Sequence, residues 1–238
     1  MIKFFRNIRQ TLIMQNNTSK YLKYAIGEIF LVVIGILIAL QINNLNEQRK
    51  INTQEKKLLA ELANNLDENL TLFEEFITIQ TERIHLADSI LNHFKNNTAT
   101  ESLSKIFSPL IWNDNLNLSF STFETIKTIG FDLIKNDQIR RDIIELFEVT
   151  YPVRLNAITN TGSSTQNIYN EWYFKYGHVR DRIFNSTQYR GDENYQSIEN
   201  LIRFRSGWKS SMIANCIRDM EETKALKQNI ENYLEESE

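Results

Sequence analysis

The chain is short of the residues that staple or break a fold. It contains one cysteine, Cys216, so no intrachain disulfide can form and the fold must hold by packing in either redox compartment. Cys216 itself reads as a small buried helix residue. Two prolines and seven glycines in 238 residues exclude a collagen-like or low-complexity chain. They are also too few for the many turns of an all-β fold. The three histidines, His85, His93 and His178, lie far apart, and no H-E-x-x-H or Cys/His spacing for zinc is present. There is no Walker loop, no G-x-G-x-x-G and no G-x-S-x-G. The sequence therefore offers no catalytic residue, no metal site and no cofactor site, and it points away from an enzyme.

Charge is unevenly spread. The formal net charge is −3, yet the residues before Tyr24 carry Lys3, Arg6, Arg9, Lys20 and Lys23 and no acid. The remainder is acidic, most of all from Asp219 to Glu238. A body without a basic face is not expected to bind nucleic acid. A basic leader beside an apolar segment suits an anionic membrane leaflet instead.

That apolar segment is the strongest signal in the chain. From Ile29 to Leu40 there is no charge, hydroxyl or amide, and Glu28 is the one ionisable residue at its N-terminal edge. The run Ala25–Ile42, about 27 Å long as a helix, is near the lower limit for crossing hydrocarbon. A cleaved signal peptide fits poorly, because the preceding region is too long and no A-x-A-like site follows. Residues 24–43 are read as a single transmembrane helix. Residues 1–19 form the leader, in which Ile2, Phe4, Phe5, Ile8, Leu12 and Ile13 share one face of an amphipathic helix suited to the membrane interface. Basic residues stand on both sides of the span, with a slight excess before it. The positive-inside rule then favours a cytoplasmic N-terminus and a periplasmic body, in the inner membrane.

One face of the span is distinct. Gly27, Glu28, Gly35 and Ala39 lie within one arc, and Gly35-x-x-x-Ala39 is a small-xxx-small pattern that lets two helices approach closely. Glu28 reads either as an intramembrane site or as a first-turn acid at headgroup level, favoured there by the helix dipole.

No glycine or proline occurs between Gly35 and Pro109, so the helix is expected to continue out of the membrane. Leu59, Leu62, Leu66, Leu70, Phe73, Ile77, Ile84, Ala87, Leu91 and Phe94 step mostly by three or four, with Gln80 as the clearest polar interruption. Such a stripe serves a bundle core or a coiled-coil seam. Asn96-Asn97-Thr98 ends it. Leu116, Leu118 and Phe120 alternate with polar residues as a brief extended piece. Ser121-x-x-Glu124 fits a capping box for a short helix closed by Gly130. Asn136 or Asp137 caps the next helix, with a kink or break at Pro152. Beyond Val153 an aromatic stripe contains Tyr169, Trp172 and Tyr173, which are either core or the walls of a shallow pocket. Gly177 ends that helix, and Arg180 to Asp192 reads as a polar connection. A last helix begins near Asn194, and on it Arg203, Arg205, Trp208 and Lys209 form a basic-aromatic patch able to meet an acidic partner. The bland alternative for that patch is a solvated face with snorkelling stems.

The fold class expected is all-α: an N-terminal amphipathic helix, one transmembrane helix running into a long helix, and an extramembrane antiparallel helical bundle over 44–238. The leader F-R-N-I-R (Phe5 to Arg9), the run K-Y-L-K-Y-A-I-G-E-I-F-L-V-V-I-G-I-L-I-A-L-Q-I-N-N-L-N-E (Lys20 to Glu47), and S-T-F-E-T-I-K-T-I-G-F-D-L-I-K-N-D-Q-I-R (Ser121 to Arg140) carry a resemblance. They resemble an uncharacterised family of Bacteroidetes membrane proteins with a domain of unknown function. The resemblance implies a single-pass helical membrane protein and transfers no catalytic residue. Leu45 departs from the pattern, where relatives often carry Trp at the distal interface. The functional expectation is a membrane-anchored scaffold or protein-interaction module, partnered through the bilayer, self-association or another protein along the span and long helix. An extracytoplasmic sensory or ligand-binding domain is the alternative.

Overall fold

Long uninterrupted helical sequence becomes long helix. The computed structural model describes residues 18–96, 115–160, 167, 177–178, 183–184 and 195–236, and it is all helical apart from one minimal strand pair. The leader's predicted amphipathic helix and the aromatic residues Tyr169, Trp172 and Tyr173 lie outside the described residues. Helix α1 runs unbroken over Thr18–Lys95, 78 residues, and His93 and Lys95 in its last turn face the negative end of the helix dipole. The chain divides into two units, 1–55 and 56–238.

In the first unit α1 carries its apolar run without covering it. Large side chains from Ile29 to Ile42 are 40–66 % exposed, and mean hydropathy reaches 2.5 over its most apolar window, none of which is buried. By length and composition this is the one helix among the described residues able to cross a membrane.

In the second unit the same helix becomes a seam. Leu59, Leu62, Leu66, Asn69, Phe73, Phe76, Gln80, Ala87, Ile90 and Phe94 are buried at alternating steps of three and four, with one seven-residue step across Arg83. Helix α4, Tyr195–Glu236, repeats the rhythm with Ile202, Arg205, Lys209, Met212, Cys216, Asp219, Thr223, Leu226 and Ile230. A 3.5-residue repeat keeps one stripe facing a partner helix. Lys209 meets Gln80 and Lys227 meets Asp67, so the two helices run antiparallel. The stripe is used within one chain as bundle core.

Three shorter pieces complete this unit. Leu116 is buried, and Leu118 and Phe120 pack on the core from an extended segment before α2, Ser121–Ile129. The capping box expected there does not form. Ser121 is already the first helical residue, and its side chain makes no cap. Instead Asn65 of α1 supplies the acceptor: its Oδ1 takes the Ser121 hydroxyl at 2.8 Å and the Thr122 N–H at 3.0 Å. Asn69, one turn on, exchanges two bonds with the Ser119 backbone. The orphan donors of P-free helix starts need any oxygen in reach, and a neighbouring helix serves as well as a local one. Gly130 closes α2 at φ 116°, a conformation costly for any residue with a Cβ.

Helix α3 starts at Asp137 with Asn136 as its cap, accepting from Gln138 and Ile139. It runs over Asp137–Ile144, passes through a π segment at Glu145–Thr150 and continues through 151–160. No break occurs at Pro152. A proline lacks an N–H and crowds the carbonyl four residues back. The wider π turns just before it open that space, so the helix passes through. Phe147 stacks on Phe123 at 4.8 Å and meets Tyr151 edge-on at 5.1 Å, filling the space between α2 and α3. Gly177–His178 pairs antiparallel with Ile183–Phe184, and the second of these strands lies inside the polar connection expected over Arg180 to Asp192.

Candidate functional site

Polar residues at seam positions are expensive to bury unless hydrogen-bonded, so each one in the second unit marks a constraint. Three polar layers occur among the described residues. The first is the Asn65–Asn69 cradle that docks 119–122 onto α1.

The second joins α3 to α4. Arg154 donates from Nε and Nη2 to the two oxygens of Asp219 at 2.6 and 3.1 Å, and both side chains are buried. Burial alone would lower the Arg154 pKa, but the Asp219 hydrogen bonds and charge reverse that and hold it raised. Thr223 donates its one proton to the Asp219 carbonyl, so the Tyr151 hydroxyl is the donor in the 3.0 Å bond to Thr223. Burial pushes the Tyr151 phenol up to about 12, and likewise the Cys216 thiol up to about 12. A thiol held that high is unreactive, and this layer is structural.

The third layer is different in kind. Lys209, 1 % exposed, donates from Nζ to Gln80 Oε1 at 2.8 Å, with Arg83 and the buried Arg205 close by. Desolvation first, then the charges of Arg83 and Arg205, pull the Lys209 pKa down to about 7. Desolvation and Arg205 likewise lower Arg83. Beside this cluster is a cleft of ≈ 220 Å³ lined by Leu72, Glu75, Phe76, Ile79, Gln80 and Arg83, and by Asn115, Leu116 and Asn117 of the extended segment. One guanidinium nitrogen of Arg83 is out of reach of solvent. Polar groups converge here beside a smaller apolar wall of Leu72, Phe76, Ile79 and Leu116, the two elements a small-molecule site combines.

The residues singled out from sequence distribute unevenly. Arg203, Arg205, Trp208 and Lys209 do not form one surface patch. Arg203 is outside, bonded to Glu199, whereas Arg205 and Lys209 face inward and Trp208 packs on the core. The reason is the seam rhythm, which places 205 and 209 between the buried 202 and 212. Gln80, read as an interruption, is a seam member, and Arg83 was not singled out at all. The steps 76, 80, 83, 87 on α1 carried that signal. Gly27 and Gly35 have open space where a Cβ would stand, so that face of α1 is free to receive a neighbour. Among the described residues no group of three His, Cys, Asp or Glu side chains is placed to hold a metal ion.

Fold and sequence together define an all-α protein with, among the described residues, one helix apolar enough for a bilayer and a helical bundle bearing a cleft that Arg83 and Glu75 both line. The chain belongs to DUF6090, a family of unknown function, which matches residues 28–186. The match includes most of the apolar run, the Ser121 to Arg140 block and both α1 residues of the cleft's polar end. No curated protein and no solved structure matches the chain.

Proposed function

We propose that this protein is a single-pass inner-membrane protein of Bacteroidetes type whose bundle acts as a scaffold or protein-interaction module. The N-terminus is cytoplasmic and the body periplasmic in this reading. One observation carries it: the side chains of Ile29 to Ile42 are exposed, while the bundle buries the same residue types. Each such side chain is about 1.5–3 kcal/mol better placed out of water, and a bilayer removes the whole run at once. The face of Gly27, Glu28, Gly35 and Ala39 supports pairing with a second span.

Alkaline extraction of native membranes tests the anchor: the protein stays with the lipid pellet, and release into the soluble fraction overturns the reading. A reporter fused after Glu238 tests the orientation, with activity expected only outside the cytoplasm. Crosslinking in those membranes tests the interaction role and traps self-association or one fixed partner. A strictly monomeric, partnerless protein argues against a scaffold. The second reading, an extracytoplasmic sensory or ligand-binding domain, is favoured by the Gln80–Arg83 cleft.

A further inference from the structure

We propose that the cleft beside Gln80 and Arg83 binds a small organic monocarboxylate, held by the Arg83 guanidinium with its apolar part against Phe76, Ile79 and Leu116. This deepens the ligand-binding reading and rests on it.

Size comes first. A cavity of roughly 150 Å³ admits benzene, and this one, at ≈ 220 Å³, has room for an added carboxylate. Chemistry comes next. The wall is aliphatic and aromatic on one side, from Leu72, Phe76, Ile79 and Leu116, and polar on the other, from Gln80, Arg83, Asn115 and Asn117. Lys209 donates to the Gln80 oxygen and so turns the amide NH₂ away from itself, as a donor. A planar guanidinium recognises a carboxylate with two parallel bonds, and amide donors add to that.

Charge decides which anion fits. Arg83 lines the cleft and the charge of Arg205 acts on it from close by, which favours an anion there. Glu75, an exposed carboxylate on the same lining, repels one. A monoanion with an apolar body gains from the first and loses little to the second. A phosphate dianion doubles the attraction to Arg83 and the repulsion from Glu75 alike, and it gains nothing from the apolar wall.

The experiment uses the full-length protein in a non-ionic detergent, titrated by calorimetry with benzoate, its neutral isostere benzamide, and inorganic phosphate. Benzoate is expected to bind saturably at millimolar concentration, with benzamide and phosphate at least tenfold weaker. Arg83→Gln is expected to weaken benzoate by about tenfold or more, the size of a lost charge-assisted bond. Ile79→Trp, which alters an exposed position on the cleft wall, abolishes binding while leaving the guanidinium in place, and thermal melts without ligand report whether each variant folds. Equal binding of benzoate and benzamide overturns the carboxylate assignment but keeps a ligand cleft. Stronger phosphate binding overturns it in favour of an inorganic anion. No saturable binding of any of the three, or benzoate binding unchanged in both variants, removes the site altogether.

Discussion

Residues 29–40 and residues 56–95 belong to one helix and obey opposite rules. The first stretch is apolar on every face and exposed on every face. The second is apolar on a single 3.5-residue stripe and buries that stripe, admitting Asn69 and Gln80 into it only with hydrogen-bond partners. A helix whose surroundings are uniform needs no stripe, whereas one packed in a bundle has an inside and an outside. Polar residues are affordable in the seam because α4 and the 115–120 segment bring donors and acceptors to meet them. In the first stretch there is nothing to meet them, and none is present.

The contrast can be broken by experiment, beginning where the bundle is most vulnerable. Asp219→Ala leaves the buried Arg154 guanidinium without its carboxylate. It is expected to cost about 3–5 kcal/mol, read from the midpoint of denaturant unfolding. A conservative loss under about 1 kcal/mol would show that the pair is hydrated in solution. The direct comparison is Leu66→Ala against Leu37→Ala. The seam variant loses about 2–5 kcal/mol of bundle stability by opening a cavity, while the Leu37 variant leaves the bundle's melting within about 0.5 kcal/mol. If both destabilise the bundle alike, the two stretches are not independent in the way their burial implies.

A smaller effect tests the Asn69 half of the cradle that docks the 119–122 segment on α1. Asn69→Ala strands the Ser119 backbone and is expected to cost about 1–3 kcal/mol. Asn64→Ala, on an exposed neighbouring position, should change stability by no more than about 0.5 kcal/mol. The last effect is in pH and is read as a slope. The Lys209 amine gives up its proton near pH 7 in the fold, against its ordinary 10.5 in the unfolded chain. Between those values the unfolded state binds more protons, so stability rises with pH, by at most about 1.4 kcal/mol per unit. Above pH 10 the buried Tyr151, whose pKa is about 12, works the other way and confines the window to roughly pH 7–10. Lys209→Met should flatten the rise measured by thermal melts across that window. An unchanged slope would place its origin elsewhere.

Much of the fold was legible along the chain. The absence of glycine and proline after Gly35 announced the long helix, Asn136 and Gly130 marked helix ends correctly, and leucine spacing drew the α1 seam. These features depend on neighbours within four residues or so. The candidate site was scarcely legible. Arg203, Arg205, Trp208 and Lys209 are contiguous and look like a patch, but a contiguous stretch of helix points in every direction. Its inward members could be told from its outward one only by following the seven-residue rhythm through positions that happen to be charged. The cleft then required the 115–117 segment, some thirty residues from Arg83, to fold against α1.

Sequence alone determined the secondary structure class, the site of the apolar run and the phase of the α1 seam, because propensity and periodicity are local. Tertiary structure decided which oxygen caps α2, how the chain passes Pro152, and that Arg205 and Lys209 face inward with Gln80 and Arg83. Each of those outcomes is a contest between a local option and a distant partner. Distance along the chain carries no information about which partner arrives in space, and burial makes the partner's identity energetically decisive.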